Sequence, residues 1–211
     1  MSARSAALVL AAGTSSRMQG RNKLLCEVGG MTMIERAVRA ALDSRCMQVV
    51  VVTGSQADLV EAALQAVQAC KPVTVVRNPD YATGLSSSLR CAVATLPDTL
   101  DAALVHLADM PWIGAAHIDR LIDAFDPREP AIVAPFRNGR RGQPVLWPKD
   151  YFPALGALSG DSGARGLLER CASSVRAVPF DTDAIFQDID TPDELAQALR
   201  QAVQIAQERT D

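Results

Sequence analysis

The chain has 211 residues, 48% of them hydrophobic, 21% charged and 4% aromatic, with a net charge of −3. A chain of this length builds one ordinary domain that buries roughly 70% of its unfolded surface, so a self-sufficient core is expected. The composition excludes wholesale disorder, no apolar run approaches the ~20 residues needed to cross a bilayer, and the mild acidity leaves no global footprint for nucleic acid.

The first ten residues carry one basic side chain and a short apolar stretch that runs straight into a glycine-containing loop, which reads as a strand over 6–10 rather than as an export signal. From there, apolar runs alternate with helix-period segments to the end of the chain. Strands are expected at 48–53, 73–76, 102–107, 131–134, 144–146 and 175–178, and helices at 32–42, 57–69, 86–95, 115–125, 164–171 and 192–206. The strands are β-branched and apolar on both faces, which suits a central, mostly parallel sheet flanked by helices. Thr32 stands three residues before Glu35, and Thr191-Pro192-Asp193-Glu194 sets a cap before a first-turn proline and two acids; both are helix-start signals. No repeat and no Pro/Gly/Ser-rich linker divides the chain, so 1–211 is expected to be a single α/β domain. Five scattered cysteines (Cys26, Cys46, Cys70, Cys91 and Cys171) never form a Cys-x-x-Cys pair, which fits reduced thiols and a cytoplasmic location.

After the first strand the chain reads Leu10-Ala11-Ala12-Gly13-Thr14-Ser15-Ser16-Arg17-Met18-Gln19-Gly20-Arg21-Asn22-Lys23. Between Ala6 and Cys26 it holds three basic residues and no acid. Small residues let backbone N–H groups approach phosphate oxygens, and Arg17 and Lys23 can neutralise their charge. The pattern is neither Gly-x-Gly-x-x-Gly nor Gly-x-x-x-x-Gly-Lys-Ser/Thr. Taken alone, it fits a nucleoside triphosphate loop and a solvated turn equally well. Asp109 follows an apolar strand and should stand at the carboxyl edge of the sheet, where it can hold a metal or cap a helix before Pro111. Asp190 and Asp188 share one side of an extended segment, and either Asp190 or Thr191 can cap the last helix.

The run Leu-Ala-Ala-Gly-x-x-x-Arg-Met-x-Gly-x-x-Lys-Leu-Leu resembles the N-terminal signature of nucleotidyltransferases of the MobA-like superfamily, and within it most closely the molybdenum cofactor cytidylyltransferases. The resemblance continues through Asn78 to Leu89, Leu107-Ala108-Asp109-Met110-Pro111, Gly142-Gln143-Pro144-Val145-Leu146 and Asp188-Ile189-Asp190-Thr191-Pro192-Asp193. Gln19 departs from it, since such loops commonly have glycine after Arg-Met.

The resemblance implies a Rossmann-like fold, with residues 1–110 mainly binding nucleotide and 111–211 mainly binding the acceptor. It implies transfer of CMP from CTP to the molybdopterin form of the molybdenum cofactor, with pyrophosphate released and a molybdenum hydroxylase or its chaperone as recipient. Leu10, Ala11, Ala12, Gly13, Arg17, Lys23, Gly84 and Ser88 would bind the nucleotide. Arg17, Lys23 and Asp109 would act in catalysis, and Asp109 and Asp190 would hold Mg²⁺. Arg141, Gln143, Ser162, Gly163 and Arg165 would receive the acceptor, Arg140 assisting. Guanylyl transfer, transfer to another phosphorylated small molecule, and non-catalytic delivery of the cofactor remain rival readings. His106 on its apolar strand is expected to be a satisfied, half-buried side chain, and Trp112 and Trp147 either line a pterin pocket or simply pack.

Overall fold

The computed structural model describes residues 3–68 and 72–208. Strand β1 (Ser5–Ala11) is buried at every residue, as a strand covered on both faces must be. It leads through the loop 12–22 and a 3₁₀ turn at Lys23–Leu25 into a short hairpin, β2 (Glu27–Val28) and β3 (Met31–Thr32). Helix α1 (Met33–Leu42) follows at once: the Thr32 hydroxyl accepts from the Glu35 N–H, and the Glu35 carboxylate accepts from the Thr32 N–H, the reciprocal cap that the spacing predicts. Next come β4 (Gln48–Thr53), α2 (Ala57–Gln68), β5 (Thr74–Arg77), α3 (Leu85–Val93), β6 (Ala102–Leu107) and α4 (Ala115–Asp123). The remaining elements are β7 (Ile132–Arg137), β8 (Arg140–Arg141), β9 (Val145–Pro148), α5 (Phe152–Gly156), α6 (Arg165–Arg170), β10 (Val175–Pro179) and α7 (Pro192–Glu208). The final residue of the helix expected over 57–69, and Cys70, lie outside the described residues.

The strands form one sheet in the order β10-β7-β9-β6-β1-β4-β5, with β8 paired to β7. β6, β1, β4 and β5 are parallel neighbours, as are β7 and β10. β9 runs antiparallel to both β6 and β7. The strand expected at 144–146 is therefore present but reversed, since a short apolar run carries no information on direction. The reversal begins at Asn138-Gly139, where both residues have positive φ (50° and 75°) between the paired Arg137 and Arg140. That is the two-residue turn whose twist matches a hairpin.

Successive residues of each strand face opposite layers. Val9, Val51 and Leu104 join Ile34, Val38, Leu64 and Leu121 on one face, while Leu8, Val50 and Val105 join Leu89, Leu155 and Leu168 on the other. A smaller cluster of Val28, Met33, Ile189 and Ala198 ties the β2–β3 hairpin to α7. His106, opposite Val9, corrects the expectation for that residue: it is fully buried and neither ring nitrogen has a hydrogen-bond partner. Burial lowers its pKa to about 4, so the ring is neutral at pH 7. Because β1, β4 and β6 are parallel, their carboxyl ends lie side by side, and the loop after β1 and Asp109 after β6 meet at one rim.

Candidate active site

At that rim opens a cavity of about 610 Å³ that gathers every residue expected to bind nucleotide: Leu10, Ala11, Ala12, Gly13, Arg17, Lys23, Gly84 and Ser88, together with Asp109 and Asp190. The loop after β1 holds its shape by local bonds. Met18 N–H donates to the Ser15 carbonyl at 2.9 Å, Arg21 N–H to the Met18 carbonyl at 3.1 Å, and Lys23 N–H to Ser15 Oγ at 3.2 Å. The Met18 side chain is buried. Ser15, Gln19 and Gly20 take positive φ values of 52°, 52° and 85°. Thus Gln19, which stands where the resemblance leads one to expect glycine, takes a positive-φ backbone conformation. A Cβ on Gly13 would meet nothing within 4 Å, so the missing side chain leaves open room on the cavity floor.

Lys23 is the centre of the charge arrangement. Its ammonium donates to Asp109 Oδ2 at 2.5 Å and to Asp190 Oδ1 at 2.7 Å, while the Arg17 guanidinium lies 2.7 Å from Asp190 Oδ2. The three side chains of the Lys23 bridge are 11%, 18% and 23% exposed, so solvent shields these contacts only partly. Burial alone would lower the Lys23 pKa, but the two carboxylates outweigh it and hold the ammonium above the ordinary lysine value. Burial likewise pushes Asp190 up, and Lys23 and Arg17 more than reverse that, leaving it below the usual carboxylate range. For Asp188 the balance is reversed: its burial, and then the neighbouring Asp109 and Asp190 charges, outweigh the pull of Lys23 and raise its pKa.

Capping of α7 falls to Thr191, whose hydroxyl accepts from Glu194 N–H at 3.3 Å, and to Glu194, whose carboxylate accepts from the N–H groups of Asp190 and Thr191. The Asp190 side chain is thereby free to face the cavity.

Asp109 Oδ1 is buried without a hydrogen-bond partner, and Oδ2 already faces a cation. Two carboxylates so placed fit the habit of magnesium, which takes one or two protein carboxylates and completes its shell with phosphates and water. Among the described residues no three His, Cys, Asp or Glu side chains converge to hold a metal by themselves.

The far wall of the cavity is built on Asn78, a residue to which the sequence reading gave no role. Its buried amide donates to Ser87 Oγ at 2.8 Å and Ser88 Oγ at 3.0 Å, and its carbonyl oxygen accepts from Asp80 N–H. The serines at the start of α3 are thus fixed from the side, and Gly84 caps the helix without a side chain. Gly84, with φ 110°, passes so close to the chain at 160–161 that a Cβ would stand 2.6 Å from Asp161 Cα. This contact brings Asp161 into the cavity wall, a placement no local sequence signal gives.

A second cavity of about 290 Å³ adjoins the first, sharing Leu10, Leu85 and Leu107. Arg141, Gln143, Ser162 and Arg165 line it, with Arg140, Trp147, Phe186 and Asp188. Gly142 is needed there because a Cβ would meet the Ile185 carbonyl oxygen at 2.5 Å, and Gln143 N–H donates to that same oxygen at 2.9 Å. Arg140 stacks over Phe186 at 4.7 Å, and Gln143 Oε1 is buried with no partner. Two expectations change here. Gly163 does not line the cavity but packs on Leu85, and Trp112 lies elsewhere, beneath the Arg36 guanidinium. Arg165 reaches the lining but pairs with Glu169 at 3.1 Å.

Comparison with known proteins agrees with this arrangement. The chain is 29% identical over 198 residues to nicotine blue oxidoreductase of Paenarthrobacter nicotinovorans, covering 91% of this chain and 95% of that protein. It is 28% identical over 199 residues to molybdenum cofactor cytidylyltransferase of Escherichia coli K12, covering 94% and 97%. Among solved structures, that of Rv0371c of Mycobacterium tuberculosis in complex with manganese superposes with a TM-score of 0.79 at 25% identity, covering 93% of this chain and 98% of that one. Residues 7–177 match the MobA-like NTP transferase domain, a span that holds both the loop after β1 and Asp109. The chain belongs to that family and is a nucleotidyltransferase.

Proposed function

We propose that this protein is a molybdenum cofactor cytidylyltransferase of the cytoplasm, transferring CMP from CTP to the terminal phosphate of the molybdopterin cofactor, with a molybdenum hydroxylase or its chaperone as recipient. The observation that carries the reading is the pair of adjoining cavities. One has a small-residue loop and cations suited to a triphosphate, the other has arginines suited to a phosphorylated acceptor, and Asp109, Asp188 and Asp190 stand around their junction. The likeness to the E. coli enzyme along nearly the whole chain supports these substrates. In this reading the nucleotide is held mainly by residues from 1–110 and the acceptor mainly by residues from 111–211.

The acceptor's phosphate oxygen is already an anion, so it attacks the α-phosphorus of CTP without a protein base. The new P–O bond forms as the bond to pyrophosphate breaks. The chain's own contribution is position and charge: the amides and open floor of 10–13 seat the triphosphate, Arg17 and Lys23 counter its charge, and Ser88 and Gly84 face the base. Asp109 and Asp190 would hold Mg²⁺, which would supply further neutralisation of phosphate charge. Arg141, Arg165 and Gln143 orient the acceptor.

Fold does not fix substrate, as the differing names of the two relatives show. The test is pyrophosphate release by purified protein with Mg²⁺ and molybdenum cofactor, comparing CTP, GTP, ATP and UTP. Turnover with CTP supports the reading, and turnover with another nucleotide keeps the chemistry and changes the base. No release with any of the four overturns the reading in favour of another acceptor or a delivery protein.

A further inference from the structure

The Asp109 and Asp190 carboxylates share a cation. The Lys23 ammonium contacts one oxygen of each, and Arg17 takes the second oxygen of Asp190. Three of the four carboxylate oxygens are engaged, and the fourth, Asp109 Oδ1, is buried and unpartnered. A divalent ion binds this pair less well while the ammonium stands at contact distance from both carboxylates, because the two cations repel each other in a site only partly open to water. Taking the ammonium away would leave two facing carboxylates without the cation between them. Lys23 is also tied by its backbone N–H to Ser15 in the loop that lines the larger cavity, so its position and that of the loop are linked.

We propose that Lys23 is an internal counter-cation. It closes the Asp109–Asp190 pair until a triphosphate in the adjoining cavity draws the ammonium to its own oxygens, and only then does the pair take a divalent metal. This inference rests on the site reading given under Proposed function. It makes metal and nucleotide binding mutually reinforcing by one shared factor, since coupling between two ligands is reciprocal. Lys23 thereby acts twice, as a contact to phosphate and as the residue that withholds the metal beforehand.

The experiment is Mn²⁺ binding to the full chain in the absence of nucleotide, read from the electron paramagnetic resonance signal of free Mn²⁺. Lys23→Gln removes the ammonium and is expected to bind Mn²⁺ at least tenfold more tightly than the unmodified protein. Lys23→Arg keeps a cation and is expected to stay within about threefold of it. Thermal melting is a second readout that survives a marginal fold: Mn²⁺ should raise the melting temperature of Lys23→Gln more than that of the unmodified chain. Equal or weaker Mn²⁺ affinity in Lys23→Gln, or an equal melting shift, overturns the counter-cation while leaving the site reading in place. Failure of every form to bind Mn²⁺, with CTP present or absent, overturns both.

Discussion

Gln19 keeps φ at 52°, a conformation that costs an L side chain roughly 1 kcal/mol and costs glycine little. Gln19→Gly should therefore raise unfolding stability by up to about 1 kcal/mol, measured in urea at neutral pH, with CTP affinity little changed because the loop path is already glycine-like. Asp109 carries the opposite kind of constraint: Oδ1 has no bond to lose, and asparagine keeps a carbonyl oxygen for the Lys23 ammonium that Oδ2 receives. Asp109→Asn should lower kcat for pyrophosphate release by at least about 100-fold, well beyond what loss of a supporting contact gives, while the melting temperature moves by only a few degrees. His106 supplies a pH dependence. Its folded pKa of about 4 lies below the ordinary 6.5, so between these values the unfolded chain takes up a proton that the folded chain refuses. Stability from this residue is complete above pH 6.5 and declines as the pH falls toward 4, by on the order of 3 kcal/mol. In His106→Leu that decline should vanish from unfolding curves collected between these pH values, leaving the loss that carboxylates cause in stronger acid.

At the scale of elements, α7 does two jobs at its first turn. Thr191 and Glu194 satisfy the helix start, and their bonds fix the backbone from which Asp190 reaches Lys23. Thr191→Ala should cost about 1 kcal/mol in chemical denaturation and also raise the metal concentration needed for half-maximal activity, which a purely structural cap would not do. Most of these elements are legible in the sequence. Each of the seven expected strands is present, and the Thr32-Glu35 spacing gives the true start of α1, because apolar β-branched runs and caps are local properties. The reversed β9 is not legible, since its apolar run reads the same in either direction, and Asn138-Gly139 is flanked by arginines rather than by the alternating apolar residues that mark a hairpin. The Lys23 bridge is hidden for another reason. Its partners are 86 and 167 residues away, so composition shows three charges of the right kind but not that they meet.

Across the whole molecule, a net charge of −3 coexists with cations at the two cavities: Arg17 and Lys23 beside Asp109, Asp161 and Asp190 at one, Arg140, Arg141 and Arg165 beside Asp188 at the other. Attraction of anionic substrates is therefore local, and much of it comes from exposed side chains such as Arg17 and Arg165. Raising monovalent salt from about 0.05 to 0.5 M shortens the screening length to a few ångströms, and KM for CTP should rise several-fold in steady-state assays while kcat changes little.

The antiparallel β9 has a further consequence. The parallel strands reach the ligand rim only at their carboxyl ends, whereas β9 begins there, so residues 140–143 arrive at the second cavity as a finger between β7 and β9. Such a finger can be lengthened, shortened or exchanged without altering the order of the strands or touching the loop after β1. Descendants of one ancestral fold could in this way inherit the triphosphate machinery intact and acquire new acceptors by trading a single interchangeable segment.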